Sequence, residues 1–100
     1  MEEEIDGIPV DLERLPGQLQ PLVPLIRKWA ASDDVERSDR LSRASDEELR
    51  ELSEAPAALW DEINAYLDEN ITSADPYEAT ALDSFAQAAL EARFELQRRN

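Results

Sequence analysis

One hundred residues carry twenty-four acidic and ten basic side chains, no Cys and no His, for a formal charge of −14. That composition excludes disulfide frameworks, thiolate zinc sites and Cys- or His-based nucleophile–base pairs, and acidity this strong opposes direct binding of nucleic acid or of an anionic membrane surface. The length suits one domain with a modest core, and 42% hydrophobic residues provide the means to build it.

The opening stretch, Met1 to Leu15, begins with Glu2, Glu3, Glu4 and Asp6, which repel one another and predict a solvated tail. Ile5, Ile8, Val10, Leu12 and Leu15 are apolar enough to dock on something, and Asp11 to Leu15 suits a single helical turn. Pro16-Gly17 then breaks the chain. The expected organisation is an acidic N-terminal arm over residues 1–17 and a single helical domain over residues 18–100.

A first helix should begin between Gln20 and Pro24, because Pro21 and Pro24 are tolerated only in a first turn. Leu22, Leu25, Ile26 and Trp29 share one of its faces. Ala30-Ala31-Ser32-Asp33-Asp34 reads as a helix end with a fresh cap at Ser32, a continuous helix being the alternative. A second helix, about Asp33 to Arg43, is nearly all polar, and only Val35, Leu41 and Ala44 can pack. Its Arg37, Arg40 and Arg43 interleave with Asp33, Glu36 and Asp39 at three- and four-residue spacings, as on an exposed outer helix.

A third helix opens on Ser45-Asp46-Glu47-Glu48, a capping box in which Ser45 and Glu48 satisfy each other's backbone N–H groups. Leu49, Leu52 and Ala55 form its narrow buried edge, and Pro56 ends it or kinks it. A fourth helix, about Pro56 to Glu69, places Leu59, Trp60, Ile63, Tyr66 and Leu67 on one side, with Asn70 as terminator and residues 71–74 as loop. Trp29 and Trp60 are both expected in the core, the alternative being that one lies at a rim where its indole N–H meets an acceptor or water.

The last quarter, Pro76 to Arg99, predicts one long helix around which the rest is arranged. Asp75-Pro76-Tyr77-Glu78 is a start signal: a capping Asp, a Pro where no N–H is needed, and a Glu able to reach back to the cap. Six Ala follow and no Gly or Pro interrupts. Tyr77, Ala81, Leu82, Phe85, Ala88, Ala89, Ala92 and Leu96 form one buried stripe. Ala86, Leu90 and Phe94 form a second, pointing away from the first. A helix apolar on two sides is central in a bundle or shared with a partner. The expectation is that the N-terminal arm covers Leu90 and Phe94, with a homodimer or partner contact through Ala86, Leu90 and Phe94 as the alternative. Arg93, Arg98 and Arg99 suit the negative pole of the helix dipole.

These elements predict an all-α fold: a small four-helix bundle with a long C-terminal helix and a partly extended acidic N-terminal arm, without strand-like alternation or internal repeat. No apolar run approaches the roughly 20 residues of a membrane span, and Met-Glu-Glu-Glu has the wrong charge for a targeting signal. A cytoplasmic location and no membrane partner are expected, in a composition, Arg over Lys and rich in Ala, that fits a GC-rich bacterial genome. The two glycines, Gly7 and Gly17, leave no phosphate-cradling loop and no EF-hand, and no Gly-x-Ser-x-Gly occurs. Helical di-metal sites use Glu-x-x-His, which this chain lacks. Neither catalysis nor a cofactor nor a metal is expected, a carboxylate metal-binding protein or enzyme being the minor alternative.

Charge is spread unevenly. From Asp46 to Glu91 there are thirteen acids and one base, Arg50. Glu47, Glu51 and Glu54 fall in one row on the third helix, and Asp61 and Asp68, with Glu62 and Glu69 beside them, on the fourth. Such a face keeps a small protein in solution, and it also steers a basic protein toward it. The function expected is non-catalytic: docking of a basic partner on this face, as in an inhibitor or immunity protein for a nucleic-acid-binding enzyme. The alternative is a structural or assembly subunit that forms a homodimer through the last helix.

Overall fold

The computed structural model describes residues 3–5, 8–31, 33–70 and 77–99, so the cap at Asp75-Pro76 and the loop over 71–74 lie outside the described residues. The fold is all-α. Four short helices, α1 (Val23–Trp29), α2 (Asp34–Arg43), α3 (Asp46–Glu54) and α4 (Trp60–Asn70), pack around one long helix, α5 (Tyr77–Arg99). The molecule measures 41 × 28 × 22 Å. No helix among the described residues is long and apolar enough to cross a membrane.

α5 is the centre because its composition lets others approach. Ala79, Ala81, Ala88, Ala89 and Ala92 are buried beside Leu82 and Phe85, and small side chains bring neighbouring helices close. Phe85 is fully buried and shares one core with Ile26 and Trp29 of α1, Leu41 of α2, Leu49 and Leu52 of α3, and Ile63 of α4. Val10, Leu12 and Leu15 belong to the same core, so the N-terminal arm is packed into the domain rather than appended to it.

The arm also holds two short strands, which the residue pattern does not predict. β1 (Glu3–Ile5) pairs antiparallel with β2 (Ile8–Val10), Glu4 opposite Pro9. Strands of three residues are too short to display a period of two, and Pro9 argues against a ladder; the pair stands because β2 packs on α5. The side chains of Ile5 and Ile8 lie outside the described residues. A 3-10 turn, Leu12–Arg14, follows as expected, and Gln20 ties it to the next segment by donating to the carbonyls of Leu12 and Leu15, both at 2.9 Å.

α1 and α2 are separate helices, not one. Ala30 is extended, and the hydroxyl of Ser84 on α5 serves the break: it accepts from the Ala31 N–H at 3.0 Å and donates to the Ala31 carbonyl at 2.7 Å. The cap of α2 is Asp33, one residue beyond Ser32; its carboxylate accepts from the Glu36 N–H at 2.7 Å. The capping box of α3 is complete, Ser45 and Glu48 exchanging bonds of 3.2 Å.

Several expected core positions are at the surface instead. Val35 is 80% exposed because α2 leans on α5 through Arg37 and Leu41, which lie about 200° and 240° round the helix from it. Ala55 is exposed and the ring of Pro56 fills the space beside it. Tyr77, the first residue of α5, is half exposed, and Trp60 sits at the rim of the core while Trp29 lies within it.

Candidate interaction surface

α5 has two flanks with opposite electrostatics. On the α2 flank most charges at the contact have a partner, Asp83 beside Arg37 being an exception among the described residues. The Arg37 guanidinium, nearly buried, donates to Glu91 of α5 at 2.6 Å and to Asp34 at 2.8 Å. The bond to Glu91 leads in holding Arg37 protonated above its ordinary range. Arg40 pairs with Glu36 and Arg43 with Asp39. Arg98 pairs with Glu95 and holds that carboxyl below the usual carboxylate range, with help from Arg99. Arg99 does more than meet its own helix dipole. It donates to the Ala44 and Ser42 carbonyls at the end of α2, at 2.9 and 3.2 Å, and to Asp46 at 2.9 Å.

On the flank built by α3 and α4, Asp46 and Glu48 at the start of α3 pair with Arg99 and Lys28, and the acids beyond them stand alone among the described residues. Glu47, Glu51, Glu54, Asp61, Asp68 and Glu69 are exposed and Glu62 is half-buried. Among the described residues none of the seven has an ion pair or a side-chain hydrogen bond. α3 meets α4 chiefly through the 3-10 turn Ala57–Leu59, so the rows are two acidic strips joined at a corner rather than one plate. The strips arise because both helices turn their leucine and isoleucine edges to α5: Leu49 and Leu52 from α3, Ile63 from α4. Among the described residues no group of three or more carboxylates is placed to hold a metal ion.

The second apolar stripe of α5 separates into core and surface. Ala86 is buried at 6% exposure, whereas Leu90 is 44% and Phe94 67% exposed. The N-terminal arm does not cover them; it packs at the opposite end of α5. There Glu78 is buried, accepts from the Asp11 N–H at 3.2 Å and lies 3.5 Å from the Arg14 guanidinium. Burial, and next the Glu78 carboxylate, push the neighbouring Tyr66 phenol up. Glu78 and Phe94 are sixteen residues apart, about 24 Å along the helix.

Leu90 and Phe94 therefore form a ridge with a groove on either side. Toward α2, Phe94 faces Leu41, Ser38 and Arg98 across a groove of about 540 Å³. Toward α3 and α4, Leu90 faces Trp60, Ala57 and Ser53 across one of about 360 Å³, with Glu54 and Arg93 on its rim. The parts played by Trp60 and Arg93 have no local signature, because they follow from how the 57–59 turn lies against α5.

No protein-family model, curated protein or solved structure matches the chain.

Proposed function

We propose that this protein acts without catalysis, by binding a basic protein on the acidic strips of α3 and α4. The observation that carries the reading is the contrast in pairing. Most acids next to α2 are matched to arginines, while Glu47, Glu51, Glu54, Asp61, Glu62, Asp68 and Glu69 have no cation of their own among the described residues. Unmatched carboxylates on rigid helices raise the local potential and speed the arrival of a cationic partner. A partner that normally binds nucleic acid presents such cations, and the strips would occupy them as phosphates do. Inhibition of a nucleic-acid-binding enzyme is the specific form of this reading.

The test is differential capture by the immobilised protein and by its Glu47→Lys, Glu51→Lys, Asp61→Lys triple variant. The expected partner is retained by the first alone, leaves as salt is raised, and is displaced by added DNA or RNA. A partner held equally by both proteins, or held at high salt, would refute the acidic strips as its site.

A further inference from the structure

We infer that the C-terminal half of α5 binds a second copy of this chain, in an antiparallel two-fold pair that buries Leu90 and Phe94. The ridge is the largest unpartnered apolar feature on α5, and both side chains lie within about 40° of one another round the helix. What singles out the occupant is the charge beside the ridge. The α3-side rim carries one cation, Arg93, and one anion, Glu54, which line the same groove without bonding each other and have no partner among the described residues. A uniformly basic partner would be repelled by Arg93. A surface with one unmatched charge of each sign complements itself, which is the requirement of a two-fold contact.

The direction of pairing follows from the same rim. A two-fold axis lying across the helices runs the two α5 segments antiparallel and lays the α3-side wall of each copy over the α3-side wall of the other. Centred near Ala92, it sets Leu90 on Phe94 of the second copy and Arg93 opposite Glu54 of the second copy, each contact occurring twice. The parallel arrangement would lay Arg93 over the α2 side instead, where Glu91 and Glu95 already have arginine partners. α5 spans about 35 Å and the molecule is 22–28 Å across. Centred near Ala92, the two helices overlap over residues 85–99, about 22 Å, so the shared face lies at the small end of specific interfaces, below roughly 800 Å² per partner. Each copy carries −14, so association is opposed at low ionic strength and strengthened by salt. That sign is opposite to the one expected for a basic partner on the acidic strips.

The experiment is solution mass by sedimentation equilibrium or light scattering over a hundred-fold range of protein concentration, at low and high salt. The expected result is a rise from the monomer mass of 11.3 kDa toward twice that value, at lower concentration when salt is added. Phe94→Glu should hold the mass at 11.3 kDa throughout with an unchanged circular dichroism spectrum, because that side chain is 67% exposed and not part of the core. Arg93→Glu should weaken the dimer, and Arg93→Glu combined with Glu54→Arg should restore it. A wild-type chain that stays monomeric at its highest soluble concentration, a Phe94→Glu variant that still dimerises, or a charge swap that does not rescue would each overturn the inference. The Phe94→Glu monomer keeps Glu47, Glu51, Asp61 and Asp68, so its capture of a basic partner reports on the acidic strips separately.

Discussion

The two flanks of α5 show two ways of handling the same excess of carboxylates. On the α2 flank, arginines at three- and four-residue spacings neutralise acids within the helix, and Arg37 and Arg99 reach across to close the contact with neighbouring elements. That flank contributes little apolar surface, Leu41 being the one buried side chain of α2. On the α3 flank the adhesion is apolar, through Leu49 and Leu52, and Glu47, Glu51 and Glu54 on the outward side are left unmatched among the described residues. One helix is held by charge and one by burial. A helix held by burial can vary its outer face freely, which makes α3 the element able to specialise for a partner.

The sharpest way to break that contrast is to remove the adhesion of α3. Leu49 is fully buried and belongs to the main core. Leu49→Ala should cost about 2–5 kcal/mol, the usual range for deleting a buried leucine. For a 100-residue domain with a total stability of about 10 kcal/mol, the urea midpoint should fall by about a fifth to a half. A midpoint within experimental error of the wild type would mean that α3 does not depend on its apolar edge.

How much of this was legible beforehand depended on whether the cause was local. The capping box of α3 and the helical stretch of α5 are fixed by neighbours within four residues, and both could be read from Ser45 to Glu48 and from the run of Ala after Tyr77. The separation of α1 from α2 could be suspected from Ala30 to Asp34 but not decided. The deciding group is the hydroxyl of Ser84, more than fifty positions away. The same limit applies to Glu78, whose hold on the arm through Asp11 and Arg14 depends on residues more than sixty positions away. Periodicity placed Ala86, Leu90 and Phe94 in one stripe, and only the packing separates the buried first member from the two exposed ones. In the candidate surface the acidic rows were visible as spacing. Their lack of cations was not, since Arg50 lies within the same helix as Glu47, Glu51 and Glu54 and pairs with none of them.

A smaller effect sharpens the comparison by treating one charge on each flank. Arg37→Ala removes two ion pairs and leaves Glu91 uncompensated against the helix, at a site where the guanidinium is only 11% exposed. The expected loss is about 1–3 kcal/mol, as for a charge-assisted hydrogen bond with one partner deleted. Glu51→Lys on the α3 flank should change stability by no more than about 0.5 kcal/mol, with any change favourable because it relieves part of the net charge of −14. Urea melts of the two variants side by side decide the matter. Equal losses would show that the acids of α3 are held by interactions as firm as those of α2.

The smallest effect lies where α3 begins, at the one acid of that helix's first turn that bonds both a cation and the cap. Glu48 is held below the usual carboxylate range, first by the Lys28 ammonium at 2.9 Å and then by the Ser45 N–H. A carboxyl whose folded pKa is depressed contributes stability that is present above its unfolded pKa, about 4.3, and is lost as pH falls through the folded value. Glu95, depressed first by Arg98, adds to the same acid-side slope. Lys28→Met removes the leading cause at Glu48 and leaves the capping box in place. The urea midpoint of the variant should then lie slightly below that of the wild type above about pH 4.3, and the two should converge as pH falls through the folded value, which makes the acid-side fall of the variant the shallower one. A variant whose acid-side slope equals that of the wild type would show that Lys28 and Glu48 do not pair in solution, and that the start of α3 is fixed by Ser45 alone.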